Sequence, residues 1–316
     1  MALTVNNIGN NNAATRGLPT EMENAIEIYY GSVLTAFDRK NIFLDLVTTK
    51  TIESGSSTAI PVIGQSSEGD INTHVPGTDL EMGAIAVKER VIQIDALEYF
   101  ALAVDKFEEK VLHFETRGEL AKQAGEALAV KIDKAVAAEL VLASQTSGTI
   151  GGAAVQADGT EVVNAAIDTA ASPKLKGDAM IESVFAAVAA MEEKDMHSDV
   201  VLAVSPTTYS HLAQSDAVNK DITSGDNGGI NKGTVMEVAG IRIIKSNHLP
   251  AAQDGKNLKG IIFSAEAVAV VKLMDVTSEV NYLPKQLATL MTTYYSYGMG
   301  VLKPAGSCVI LGNTAA

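Results

Sequence analysis

The sequence predicts an α+β protein in which one long helix stands between a strand-built excursion and a mixed helix-and-strand region. Three observations carry that prediction. From Thr116 to Ser144 apolar residues recur every four positions, the spacing of one helix face. On both sides of a turn-rich stretch at 65–83 the period falls to two, the signature of strands. Between 178 and 245 helical and strand patterns alternate, as they do in a domain with its own sheet.

Residues 1–20 are rich in Asn, Thr and Gly with no apolar period, and read as an arm that is extended or disordered unless a neighbour holds it. Residues 21–37 predict a short helix with Ile26, Tyr29, Tyr30, Val33, Leu34 and Phe37 on its apolar side. VTTKTIESGSSTAIPVIG (47–64) alternates and is punctuated at Glu53–Ser56, predicting two strands about a turn. After the polar stretch 65–83, KERVIQIDAL (88–97) resumes the alternation. These segments form a long hairpin-like excursion with a polar tip. Two strands alone are marginal in water, so the arm is expected to rest on something, such as another subunit.

Asp105 is placed to cap a short helix reaching His113. The long helix follows, opened by Thr116 and Glu119 as a capping box. Leu120, Ala124, Leu128, Ile132, Val136 and Leu140 make its apolar row, with Lys122, Glu126, Asp133, Lys134 and Glu139 between them. Residues 117–143 would span roughly 40 Å. The soft region 145–177 contains Asp158-Gly159, a hairpin turn signal between VQA and TEVV. Asp178 reads as the cap of a helix with Ile181, Val184, Phe185, Val188 and Met191 on one face. DVVLAV (199–204) reads as a buried strand, and Ser205-Pro206 opens another helix. VMEVA and IRIIKS meet at Gly240. GIIFS, AVAVVKLM and TSEVNY read as three strands, 284–297 as a short helix, and SCVIL (307–311) as a final strand.

Composition narrows the function. The 316 residues allow about two domains, and 47% hydrophobic with 20% charged residues is ordinary for a globular protein. A net charge of −14 argues against a nucleic-acid-binding surface. The single cysteine, Cys308, rules out internal disulfides and multi-cysteine metal clusters. No signal peptide or membrane span is legible, which predicts a soluble protein made in the cytosol.

No chemical motif completes a site. In the Gly-rich loop 224–234 the order is Lys232-Gly233-Thr234 with a strand after it, whereas a phosphate-cradling P-loop needs Gly-Lys-Ser/Thr ahead of a helix. Histidines 74, 113, 197, 211 and 248 lack metal-ligand spacing, and His197 and His211 read as helix-end surface residues. Ser205 has a capping role and lies in no nucleophile elbow. Asp105, Glu108 and Glu109 read as a solvated helix turn, Cys308 as core packing, and Tyr294, Tyr295 and Tyr297 as packing near a helix end. The expected catalytic, cofactor-binding and metal-binding residues are therefore none.

Arm, excursion, long helix and α/β region, in that order, resemble the major capsid proteins of tailed phages, the Hong Kong 97-like fold, and within it the short-tailed phages of the T-seven group. YGSVLTAFDRKNI (30–42) resembles the family's motif before the excursion, and SGSSTAIPVIGQ (54–65) its first loop strands. Residues 91–140 resemble its second loop strand, connecting helix and spine helix. VMEVAGIRIIKSNHLP (235–250), AVAVVKLMD and YSYGMGVLKPAGSCVI resemble later strands. Residues 1–20, 145–177 and 251–259 have no clear counterpart.

The resemblance implies an N-terminal arm at 1–45 and an extended loop at 46–94. It implies a peripheral domain at 95–147 and 263–299, and an axial domain at 148–262 and 300–316. The implied function is a virion shell of hexamers and pentamers around packaged double-stranded DNA, held non-specifically, with portal protein as a partner and no membrane. Only about 20 residues precede the first helix, so a separate scaffolding protein and an uncleaved arm are expected. An encapsulin-like cargo shell and an α/β enzyme are the competing readings.

Overall fold

The computed structural model describes residues 20–64, 71, 73, 74, 79, 85–94, 97–105, 116–150, 153–196, 199–215, 237–253 and 255–314. The chain divides into two units. The first gathers 1–41, 95–132 and 273–297; the second gathers 42–94, 133–272 and 298–316. Residues 106–115, where a short helix is predicted, and the Gly-rich loop 224–234 lie outside the described residues, as do residues 1–19 and most of 65–84.

In the first unit, helix α1 (Thr20–Lys40) buries Tyr29, Val33 and Phe37 at the predicted spacing, while Tyr30 is 38% exposed. Arg39 and Lys40 fall in its last turn, where they complement the helix dipole. Helix α2 (Thr116–Gln145) is the predicted long helix. Its Ala124, Leu128 and Ile132 are buried as expected. Gly125 is required where α1 crosses α2, because a Cβ there would stand 2.4 Å from the Val33 carbonyl oxygen.

A four-stranded sheet has the order β1 (Thr48–Thr51), β13 (Val268–Leu283), β14 (Ala288–Val301), β4 (Glu98–Asp105). The helix predicted at 284–297 is instead β14, which pairs antiparallel with β4 from Ala288↔Asp105 to Tyr295↔Glu98. Thr292, Thr293, Tyr294, Tyr295 and Tyr297 are β-branched or aromatic and fit a pleated surface between two partners. AVAVVKLM and TSEVNY are not two strands but one, β13. On the buried side of this sheet the Tyr29 hydroxyl lies 3.3 Å from Thr293 Oγ1, which is 2.9 Å from Ser278 Oγ.

The second unit is built on a mixed sheet ordered β7 (Thr160–Val163), β15 (Ser307–Thr314), β12 (Lys256–Ser264), β8 (Val200–Val204), β10 (Ile241–Lys245), β9 (Glu237–Val238), with β11 (Ala252–Gln253) paired to β12. β12 and β15 carry Ile261, Ile262, Phe263, Val309, Ile310 and Leu311, all fully buried, the apolar runs expected of strands covered on both faces. Helices α3 (Ala166–Thr169), α4 (Pro173–Glu192) and α5 (Pro206–Ala213) belong to this unit. Met180, Val184 and Met191 of α4 and Leu212 of α5 join Leu202, Ile262 and Ile310 in one core. Gly240, at φ +74°, makes the predicted turn between β9 and β10.

Four local expectations are corrected here. Helix α4 begins not at Asp178 but at Pro173, where the Ser172 side chain accepts from the Leu175 N–H; Ser-Pro fixes the first turn just as Ser205-Pro206 does for α5. Phe185 is not on the buried face but 56% exposed. The strands flanking Glu53–Ser56 do not pair with each other: β1 runs parallel to β13, and β2 (Ser57–Ile63) pairs with β3 (Val87–Gln93). Asp158-Gly159 closes no hairpin. The short pair β5 (Thr149–Ile150) and β6 (Ala153–Ala154) precedes it, and β7 runs parallel to β15. The Asp158 carboxylate accepts instead from the Gly148 N–H at 2.7 Å and the Ser147 hydroxyl at 2.9 Å.

Candidate functional site

The excursion is the first candidate, and its geometry follows from alternation. β2 and β3 pair antiparallel over seven positions, from Ser57↔Gln93 to Ile63↔Val87. The Ile94 N–H donates to Ser56 O at 2.9 Å and the Gly64 N–H to Ala86 O at 2.7 Å, extending the ladder at both ends. One face lies on the unit's own core: Val62 and Ile92 are buried, and Ile92 packs with Ala269 and Val271, with Ile52, Ile60, Ile94 and Leu302 around them. The opposite face is open and largely apolar. Ile63 is 65% exposed, Val87 60% and Val91 63%, and Ala59 and Pro61 are exposed beside them. Period-two alternation normally puts polar residues on the solvent face; here Ser57, Glu89 and Gln93 share the open face with five apolar residues.

A second cluster is electrostatic. Asp133 is fully buried, against the expectation that it sits among the polar residues of α2. Ala129, Ile132, Val136, Ala137, Leu140 and Val141 are buried around it, so the covered arc is wider than one apolar row. Its carboxylate accepts from the Ile42 N–H at 3.1 and 3.3 Å, from the Phe43 N–H at 3.2 Å, and faces His248 Nδ1 at 2.8 Å. Burial pushes this carboxyl above the ordinary carboxylate range, against the pull of His248 and the two N–H groups. Nothing in the spacing of Ile42, Asp133 and His248 along the chain announces the cluster; only an acidic residue inside a buried helix stretch hints at it.

A third cluster joins Glu98, Lys131, Tyr295 and Tyr297 in the first unit. The Tyr295 and Tyr297 rings stack 5.0 Å apart on β14, not near a helix end. Tyr295 donates to Glu98 Oε2 at 3.0 Å, and Lys131 pairs with Glu98 Oε1 at 2.8 Å. Burial, with Tyr297 and Glu98 beside it, raises the Tyr295 phenol far above its usual range. Tyr294 lies apart and donates to Glu279 at 2.7 Å.

The remaining sequence candidates fall into structural places. Ser205 accepts the Thr208 N–H at 3.3 Å as the α5 cap. Cys308 is fully buried in β15. Asp105 ends β4, while Glu108 and Glu109 lie outside the described residues. His211 sits in the last turn of α5, and burial followed by Lys176 and Lys259 lowers its pKa; His113 and His197 lie outside the described residues. A cavity of about 300 Å³ is lined by Ile63, Gln156, Lys194, Met196 and Lys303 among others. Its cations are engaged: Lys194 donates to Asp158 O, Gly159 O and Thr160 Oγ1, and Lys303 to Glu266. Among the described residues no three His, Cys, Asp or Glu are placed to hold a metal, and no helix is long and apolar enough to cross a membrane.

Comparison with known proteins finds phage capsid proteins. Residues 60–257 match the Gp10A-like major capsid protein family. The chain is 25% identical to the major capsid protein of Enterobacteria phage T3, over 96% of either chain. A capsid structure of cyanophage P-SCSP1u superposes with TM-score 0.74 at 31% identity, covering 87% of this chain and 89% of that one. The mature capsid of bacteriophage PhiM1 shares the fold, with TM-score 0.72 at 17% identity over 86% of each chain. The resemblance read from residues 30–140 and from the later strands is thereby borne out. The chain belongs to the Gp10A-like family of major capsid proteins, the subunits from which icosahedral phage shells are built.

Proposed function

We propose that this subunit assembles as hexamers and pentamers around packaged double-stranded DNA and acts without catalysis, cofactor or metal. Residues 1–45 serve as the arm and 46–94 as the extended loop. Residues 95–147 with 263–299 form the peripheral domain, and 148–262 with 300–316 the axial domain. A separate scaffolding protein and a portal protein are its assembly partners. DNA contact is non-specific, in keeping with the net charge of −14. The chain is made in the bacterial cytoplasm and ends in the virion.

The observation that carries this reading is the open apolar face of the β2–β3 hairpin. Ile63, Val87 and Val91 are exposed on a pair of strands whose other face is already buried by the chain's own core. Such patches on one chain mark contacts with another, and here the partner is the adjacent subunit. Deleting residues 66–82 tests it. The shortened subunit should keep the wild-type melting temperature and fail to form closed shells under the electron microscope; normal shells would refute the proposal.

A further inference from the structure

The chain passes from α1 towards β1 and the extended loop through Ile42 and Phe43, and those residues are held by one buried carboxylate. We infer that Asp133, paired with His248, is the positioning residue that anchors the entry to the extended loop, just upstream of β1, on the spine helix α2. The inference rests on the proposed role of 46–94 as the loop that lies on a neighbour, and it adds the group that anchors the entry to that loop.

Four features support it. Asp133 is 0% exposed and His248 8% exposed, so the interaction is removed from water and from the screening that weakens surface pairs. The carboxylate is shared by two successive backbone N–H groups and an imidazole, which fixes a geometry as well as a distance. The Phe43 ring beyond it is fully buried, with its centroid 6.0 Å from that of Phe263, and the 3-10 turn Leu44–Leu46 starts directly after it. Thr48 then enters β1, its N–H donating to Ala265 O at 2.9 Å. Finally, the main chain at His248 is itself held, since its backbone N–H donates to Ser246 Oγ at 3.1 Å. α1 ends at Lys40 and the Asn41 N–H still reaches Phe37 O, but the Ile42 and Phe43 N–H groups turn to Asp133; removing that acceptor from the buried Phe43 N–H is costly. A helix interior is an unfavourable place for an aspartate, and three donors from two other chain segments give this one a use beyond α2 itself.

The test uses the full chain with three substitutions, Asp133→Asn, Asp133→Glu and His248→Asn, read by amide hydrogen exchange and by assembly. Asp133→Asn keeps the shape but turns an amide NH₂ toward a donor. The Ile42 and Phe43 amides should then exchange roughly ten- to a hundred-fold faster, the loss of a bond to a charged acceptor, while β12 and β15 amides stay protected. The same variant should give open or irregular shells from folded subunits. His248→Asn, which leaves both N–H bonds in place, should show a smaller rise in exchange at the same two amides. Asp133→Glu, which retains the charge, should recover part of the protection. Unchanged exchange at Ile42 and Phe43 in Asp133→Asn, or fast exchange there with normal closed shells, overturns the inference. If Asp133→Asn does not fold, His248→Asn alone decides: it must loosen those two amides and disturb shell closure, and normal shells from it count against the proposal. Failure of the 66–82 deletion to prevent closure would instead strike at the loop's role, and leaves the exchange result readable by itself.

Discussion

Cys308 shows how a single environment sets a side chain's chemistry. It is fully buried in β15, and burial pushes its thiol up to about 12, so the reactive thiolate is scarce near neutral pH. Iodoacetamide at about pH 8 should leave the native subunit unlabelled and modify Cys308 once denaturant is added; rapid labelling of native protein would contradict the packing. Asp168 is the opposite case. Burial alone would raise its carboxyl, but Lys259 at 2.5 Å, Asn257 at 3.2 Å and the Asn313 N–H at 2.9 Å hold it below the ordinary range. Its contribution is therefore present above the unfolded carboxylate pKa and is lost as pH falls through the lowered folded value. Lys259→Met should lower thermal stability at neutral pH, and that difference should narrow as pH falls below about 4, as thermal melts across the range would show. Gly125→Ala, which forces a Cβ against the Val33 carbonyl, should cost about 1–3 kcal/mol in a denaturant melt.

Helix α2, the hairpin and β14 show how far pattern reaches. The capping box and the four-residue row gave α2 its bounds to within a residue or two, because a 30-residue helix averages its signal over many turns. β14 is not legible as a strand because YYSYGM has no clean period and sits between two strands in the fold, so its pairing with β4 decides its state. Ser172-Pro173 carries the same signal as Ser205-Pro206 and starts α4, while Asp178 accepts from Ser215 Oγ at 2.5 Å instead of capping. The exposed hairpin face was legible as alternation; which of its two apolar faces is open was not, since that depends on Ala269 and Val271, far along the chain. Of the Asp133 cluster only an acidic residue in a buried helix stretch is legible, because its partners are brought to it by the fold alone. The two hairpin faces predict opposite phenotypes. Val91→Asp should leave the subunit's unfolding midpoint near wild type and prevent shell formation. Ile92→Asp places a charge in the core and should destabilise the subunit by about 3–5 kcal/mol. Equal effects of the two on stability would contradict the facing.

A shell made from this chain is predicted to hold by repetition. Between Lys50 and Lys88 there is no lysine, so the loop tip carries no amine for a covalent link, and the buried Cys308 is poorly placed for a bond between subunits. Many copies of modest contacts then supply the strength. Boiled, reduced particles should run as one band near 33 kDa, and a ladder of multimers would refute this. The same spacing has a practical consequence for digestion. With neither lysine nor arginine from Thr51 to Val87, trypsin has no bond to cut anywhere in β2 or the tip, and complete digestion releases Thr51–Lys88 as one piece. Tryptic resistance of that stretch would look the same in a free subunit and in a finished shell. A protease that cuts after Glu53, Glu68 or Glu81 is the one whose rate can report when a neighbour covers the loop.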